Sequence, residues 1–119
     1  VEVDGTVALL GRGSQCINTG GEKVYPEEVE ECLKRHRAVA DAAVVGLPDE
    51  KWGESITALI ETHPGATVEL RELRDHVKAN LAAYKAPKVV FEIDTVGRAN
   101  NGKLDYRALK QRAIDLAAK

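Results

Sequence analysis

The chain has 119 residues, of which 44% are hydrophobic and 30% charged, so it fits one soluble globular domain and is too short for two. The 17 basic and 19 acidic residues give a net charge of −2, which argues against nucleic-acid binding, and no apolar run approaches the ~20 residues of a membrane helix. Cys16 and Cys32 lack CxxC spacing and the histidines share no ligand spacing, so we predict free thiols in a reducing cytoplasm and no metal site.

The first ten residues predict a β-hairpin with Asp4-Gly5 as its tight turn. The chain does not begin with methionine, so we expect a fragment of a longer protein. The glycines of residues 11–14 (GRGS) then predict a flexible joint.

A small β-ribbon and a helix are predicted next. Short runs at residues 16–17 and 23–25 can pair across Gly20 and Gly21. Pro26 fits the first position of a helix, where its missing N–H costs nothing. Apolar residues then recur at i, i+3, i+4 and i+7, which predicts a helix ending near Arg37. The glutamates of this helix are expected on its solvated face: Glu27, Glu28, Glu30 and Glu31.

Two antiparallel strands are predicted at residues 39–47, which are rich in Val and Ala, and 55–62, which alternate. A loop over residues 48–54 joins them. Thr67 is expected to cap the next helix. Its apolar stripe is Leu70, Leu73, Val77 and Leu81.

The YKAPK run at residues 84–88 ends that helix, and residues 89–93 predict a third strand. A loop over residues 97–102 leads to a last helix, which starts at Leu104 or uses Asp105 as its cap. The elements together predict an α+β fold, with a small β-ribbon plus a three-stranded sheet flanked by helices.

Lys103 is the sharpest candidate for chemistry, because Asn100, Asn101 and Gly102 before it are residue types that tolerate φ > 0. Such a loop can hold a long cation away from the domain body. An ammonium group is a compact point charge that suits a reaction in which negative charge gathers. Taken alone, the tripeptide more commonly indicates a solvated surface lysine.

Two runs resemble the adenylate-forming enzyme superfamily, which contains acyl-CoA synthetases, luciferases and peptide-synthetase adenylation domains. Residues 11–30 (GRGSQCINTGGEKVYPEEVE) resemble the motif that opens its mobile C-terminal domain, and the sequence of this run is similar to that of fatty-acyl-CoA ligases. Residues 100–109 (NNGKLDYRAL) resemble its lysine loop. The chain departs from the family at Ser14, where Asp or Lys is common, and at Gly97, where Pro usually precedes Arg. We expect Gly97 to loosen the start of the loop.

The resemblance implies that residues 1–10 end an N-terminal domain, residues 11–15 form a hinge and residues 16–119 form the C-terminal lid domain. The implied reaction joins a fatty or sterol-derived carboxylic acid to CoA through an acyl-adenylate, with the lid rotating between the two steps. The implied cofactors are ATP, Mg²⁺ and CoA, and ATP and Mg²⁺ are bound mostly by the N-terminal domain. The fragment alone is therefore expected to be inactive.

The resemblance also implies roles for individual residues. Lys103 would be catalytic and bind ATP, Arg12 would bind ATP, and Ser14 would be the hinge residue. The residues implied in CoA binding are Gly20, Gly21, Glu22, Trp52, Tyr84 and Lys88. Without the resemblance, the arginine fits a local ion pair, the glycine pair a plain hairpin turn, and the two aromatic residues packing on the surface.

Two other functions remain open at this point. One is the adenylation domain of a peptide synthetase, which loads a carrier protein instead of CoA. The other is a non-catalytic interaction domain that kept the fold, although the presence of both Arg12 and Lys103 argues against it.

Overall fold

The computed structural model describes residues 16–51, 53–100 and 102–118. The predicted hairpin of residues 1–10 and the predicted hinge of residues 11–15 lie outside the described residues. The elements follow in the order β1 (Ile17–Thr19), β2 (Glu22–Val24), α1 (Pro26–Lys34), β3 (Val39–Asp49), β4 (Gly53–Thr62), α2 (Leu70–Asn80), a short 3-10 helix (Ala83–Lys85), β5 (Val89–Glu92) and α3 (Tyr106–Ala117).

Strand β4 lies at the centre of one mixed sheet. It pairs antiparallel with β3 over its whole length, from Asp49–Gly53 to Val39–Thr62. Its other edge pairs with β5, in parallel, from Thr57–Val89 onward. The ribbon of β1 and β2 joins the same edge where Thr19 pairs with Gly53. The predicted ribbon and three-stranded sheet are therefore confirmed, and they are parts of one continuous sheet.

Helices cover both faces of this sheet. Helices α1 and α2 pack on one face through Val29, Leu33, Leu73 and Val77, and the ribbon's Ile17 and Val24 join that core. Helix α3 packs on the other face through Leu109 and Ala113. The central parts of β3 and β4 are consequently buried on both sides, which explains the nearly continuous apolar residues 42–47. The predicted α+β fold is confirmed.

Two of the three predicted helix starts are confirmed by the structure, and the third is wrong. Pro26 occupies the first turn of α1, and the Asp105 carboxylate accepts a hydrogen bond from the Ala108 amide (3.1 Å), so both predicted starts are confirmed. The predicted Thr67 cap is wrong, because the chain is still extended at Glu69 and α2 begins only at Leu70.

The turn between β3 and β4 is shorter than the loop predicted over residues 48–54. Pro48 still pairs with Glu54, and Asp49 with Gly53. Proline is tolerated in β3 because this strand lies at an edge of the sheet. Within the described part of the chain, no helix combines the length and apolar character needed to cross a bilayer.

Candidate lysine loop and ligand-binding edge

Lys103 lies exposed on the loop that leads from β5 to α3. Gly97 and Gly102 in this loop have φ angles of 73° and 83°, a region that residues with a Cβ rarely adopt. The loop closes on itself, since the Ala99 amide donates to the Lys103 carbonyl (2.9 Å) and the Gly102 amide to the Ala99 carbonyl (2.8 Å). Leu104, the next residue, is buried in the core under α3.

Arg98 ties this loop to the sheet. Its guanidinium donates two hydrogen bonds to the Asp41 carboxylate of β3, from Nε to Oδ2 (2.7 Å) and from Nη2 to Oδ1 (2.8 Å). A third, from Nη1, reaches the Gly102 carbonyl (2.7 Å), directly before the lysine. Burial acts to raise the pKa of Asp41, but the hydrogen bonds from Arg98 and from the Ala42 amide outweigh it and lower that pKa.

The expectation that Gly97 loosens the start of this loop stays a prediction, and the structure shows which backbone conformation the glycine adopts. A proline at this position could not adopt the φ of 73°, so the backbone takes a path that only a residue like glycine permits. Along that path the Arg98 side chain reaches both Asp41 and the Gly102 carbonyl.

Glu30 of α1 is buried, only 4% exposed, and the prediction that it lies on a solvated face is wrong. Its carboxylate accepts a hydrogen bond from the Val44 amide of β3 (2.9 Å) and one from the Tyr106 hydroxyl, which lies 2.8 and 2.9 Å from the two oxygens. Burial raises the pKa of Glu30 to about 7, against the lowering effects of these two donors. Burial and the neighbouring carboxylate also raise the pKa of Tyr106, which therefore stays a donor.

The spacing of Glu30 along α1 agrees with this burial, although spacing alone does not show that a carboxylate is buried. Glu30 follows Pro26 by four residues and precedes Leu33 by three, and both of those residues face the core. The glutamate thus lies on the same side of α1 as the apolar stripe. A small cavity of about 170 Å³ borders the site. Its lining is Glu27, Glu30, Glu31, Lys34, Arg98, Gly102, Lys103, Leu104 and Tyr106.

Four of the predicted CoA-binding residues, Gly20, Gly21, Glu22 and Lys88, belong to segments that join the edge of β4 facing away from β3. Gly20 and Gly21 form the two-residue turn of the ribbon, with φ of 61° and 87°, and Glu22 follows, exposed, at the start of β2. The ribbon meets β4 at Gly53. Trp52 lies outside the described residues, as do Arg12 and Ser14.

Lys88 contacts the same edge of the sheet further along β4, and Tyr84 lies in the 3-10 helix that precedes it. The Lys88 amide donates to the Ile56 carbonyl of β4 (2.8 Å), three residues beyond Gly53, or about 10 Å along the strand. Tyr84 is 44% exposed, and the ammonium group of its neighbour Lys85 lies 5.9 Å from the ring centroid. Lys85 also forms an ion pair with Glu28 of α1 (2.7 Å).

The anchor of the lysine loop lies far from this edge. Asp41, which holds Arg98, pairs with Glu61 of β4, and Glu61 is eight residues, or about 26 Å, from Gly53. The structure thus brings the predicted CoA-binding residues Gly20, Gly21 and Lys88 to the beginning of β4, and it anchors the lysine loop beside its end.

A larger groove of about 480 Å³, which the sequence did not predict, lies between the ribbon, β3 and the start of α3. Gly46 leaves room there for the ribbon, because a Cβ on it would come within 2.9 Å of Ile17 Cγ2 and 3.1 Å of the Glu54 carboxylate. That carboxylate accepts a hydrogen bond from the Asn18 amide (2.9 Å). Across the described ranges, no group of three or more His, Cys, Asp or Glu side chains could hold a metal ion.

Comparison with known proteins gives a consistent family. The model of the AMP-binding enzyme C-terminal domain family matches residues 28–103. The chain is 52% identical over 112 residues to a 3-oxocholest-4-en-26-oate–CoA ligase of Rhodococcus rhodochrous, covering 94% of this chain and 20% of that protein. It is 50% identical, with the same coverage, to a medium/long-chain-fatty-acid–CoA/3-oxocholest-4-en-26-oate–CoA ligase of Mycobacterium tuberculosis.

Among solved structures, an acyl-CoA synthetase of Brucella canis superposes with a TM-score of 0.81 at 30% identity, over 90% of this chain and 20% of that one. The chain thus spans about a fifth of the length of the curated relatives that it matches.

Proposed function

This chain belongs to the AMP-binding enzyme C-terminal domain family, and from that membership we propose that it is the lid domain of an ATP-dependent carboxylic acid–CoA ligase. The full-length enzyme converts ATP and an acid to an acyl-adenylate and pyrophosphate. CoA then displaces AMP to give the acyl-CoA. The names of the two relatives support a fatty or sterol-derived acid as the substrate and CoA as the acceptor.

Lys103 serves the first step in this proposal. A carboxylate that attacks the α-phosphate of ATP brings two anions together, and negative charge builds up on the phosphorus centre. An ammonium group between them offsets the repulsion and stabilises that charge. The observation that carries this role is that Lys103 is exposed on a loop whose backbone is fixed by hydrogen bonds to a neighbouring carbonyl and to Arg98.

The second step uses the ribbon and the neighbouring edge of β4 in this proposal. Gly20 and Gly21 let backbone amides approach the thin pantetheine arm without a side chain in the way, and Glu22 borders the same turn. Tyr84 offers an exposed ring on which an adenine can stack, and Lys88 offers positive charge to the CoA phosphates. In this proposal the domain rotates between the two steps, so that Lys103 serves the first and the glycine turn of the ribbon serves the second.

Other parts of the proposal concern residues and partners beyond the described residues. We assign Arg12 to the nucleotide, Ser14 to the hinge and Trp52 to the adenine of CoA. The N-terminal domain of the same protein is the partner that binds most of ATP, its Mg²⁺ and the acid. We place the enzyme in the cytoplasm, where a reducing environment suits the free thiols of Cys16 and Cys32.

The test measures both half-reactions of the full-length protein separately. ATP–pyrophosphate exchange reports adenylate formation, and CoA consumption from a preformed acyl-adenylate reports thioester formation. Replacing Lys103 with Ala should lower the first rate by about 10²–10³-fold, as expected for loss of one charge-stabilising group, and change the second less than about threefold. Lys78→Ala, which removes an exposed lysine of α2, is the control and should change neither.

Equal losses in both half-reactions would contradict the role of Lys103. Absence of pyrophosphate exchange with any carboxylic acid would favour the non-catalytic interaction domain. Transfer of the acyl group to the phosphopantetheine of a carrier protein, but not to CoA, would favour the peptide-synthetase alternative. The 119-residue chain by itself should catalyse neither half-reaction.

A further inference from the structure

The lysine loop is held to the body of the domain on both sides of Lys103. Directly before it, the Gly102 carbonyl accepts a hydrogen bond from Arg98, which is fixed in turn by the Asp41 carboxylate of β3. Three residues after it, the Tyr106 hydroxyl donates to Glu30 of α1. The short stretch that carries the ammonium group is therefore anchored to two different elements.

These two contacts have the properties of positioning interactions. The Arg98 guanidinium is planar and makes a two-pronged contact with Asp41, which fixes its orientation as well as its distance. Glu30 is buried and already accepts the Val44 amide, so its carboxylate can move little. An otherwise costly buried acid is therefore used to hold the hydroxyl of Tyr106, which begins α3 directly after the loop.

We infer that Asp41, acting through Arg98, and Glu30, acting through Tyr106, are positioning residues for Lys103 in adenylate formation. This inference rests on the proposed function.

Charge effects and positioning make opposite predictions for one variant. Asp41→Asn removes a negative charge from the anchor of the lysine loop, and charge alone would then favour an anionic nucleotide and a faster adenylation. Positioning predicts a slower one, because Arg98 loses the carboxylate that orients it. Tyr106→Phe tests the second contact without any change in charge.

The experiment uses the full-length protein and measures both half-reactions. Each of the two variants should lower the kcat of adenylation about 10–100-fold, the loss expected when a reacting group is displaced by about 1 Å, and change thioester formation less than about threefold. The matched controls are Asp75→Asn and Tyr25→Phe, which alter exposed residues elsewhere on the domain and should change neither rate. Thermal unfolding of each variant shows whether it is folded.

A double-mutant cycle shows whether the effect passes through Lys103. In a Lys103→Ala background, Tyr106→Phe should lower adenylation less than about twofold further, since the group that it positions is gone. An unchanged adenylation rate in both variants, an equal loss in both half-reactions, or a full further loss in the Lys103→Ala background would each overturn the inference. If Lys103→Ala alone left adenylation intact, the proposed function of Lys103 would fail instead, which is a different result.

Discussion

The buried carboxylate of Glu30 makes the stability of this domain depend on pH in a way that one substitution should remove. Its folded-state pKa is about 7, raised by burial from the ordinary value of 4.5. The folded chain therefore holds the proton more tightly than the unfolded chain. Between pH 4.5 and 7 the folded state binds more protons, so the free energy of unfolding contributed by this group falls as the pH rises.

The size of the effect follows from the two pKa values. A tenfold change in proton affinity corresponds to 1.36 kcal/mol, so the full difference for Glu30 is about 3 kcal/mol. This contribution is present below about pH 4.5 and is lost above about pH 7. In Glu30→Gln it is absent at every pH. As the pH rises from 4.5 to 8, the free energy of unfolding of the variant should therefore rise by about 3 kcal/mol relative to that of the original chain.

Urea unfolding of the 119-residue chain at several pH values measures this difference. The difference in free energy of unfolding between Glu30→Gln and the original chain removes the pH dependence of the other titratable groups, because both chains contain them. Glu69→Gln, which changes an exposed residue beside α2, is the control variant. If the difference in free energy of unfolding between Glu30→Gln and the original chain stayed within about 0.5 kcal/mol from pH 4.5 to 8, the burial argument would be refuted.

Two further predictions concern stability. Gly46→Ala should cost about 1–3 kcal/mol by chemical unfolding, because its Cβ would press on Ile17 and push the ribbon away from β3; an unchanged stability would mean that the ribbon is not packed there. Arg98→Ala should raise the pKa of Asp41, since burial is then opposed by the Ala42 amide but no longer by the guanidinium, and this is measurable by NMR titration of the carboxylate. The same variant should lower the free energy of unfolding by about 1 kcal/mol at pH 7 and by less at pH 3. The reason is that the lowered pKa of Asp41 contributes its full stability above the unfolded value of about 3.8 and loses it as the pH falls further. An equal loss of stability at the two pH values would contradict the ion pair.

Local sequence patterns were sufficient to predict most of the helices and strands. Pro26 marked the start of α1 because proline has no N–H that would need a partner in the first turn. Asp105 marked the start of α3 because its carboxylate accepts a hydrogen bond from a backbone amide of the first turn. Thr67 failed as a cap because the chain approaches α2 in an extended conformation. A capping residue acts only if the helix begins directly after it, and the packing of the surrounding segments decides where the helix begins.

Glu30 shows the same limit at the candidate site. A charged residue on a helix is most often solvated, and the sequence could not show that Tyr106, 76 residues later, would supply a donor for it. The lysine loop was found from its residue types and its resemblance to a known motif. The role of Arg98 was not found, because its partner Asp41 is 57 residues away in the sequence.

The sequence alone determined the kinds of element, their order and the two segments that resemble the superfamily, because periodicity, turn residues and short motifs act between near neighbours in the chain. Only the tertiary structure decided that the ribbon and β5 share one edge of β4, that Glu30 is buried, and that Arg98 of the lysine loop binds Asp41, about 26 Å along the strand from Gly53. These features depend on contacts between distant segments, and burial and hydrogen bonding across such contacts are fixed only when the whole chain packs.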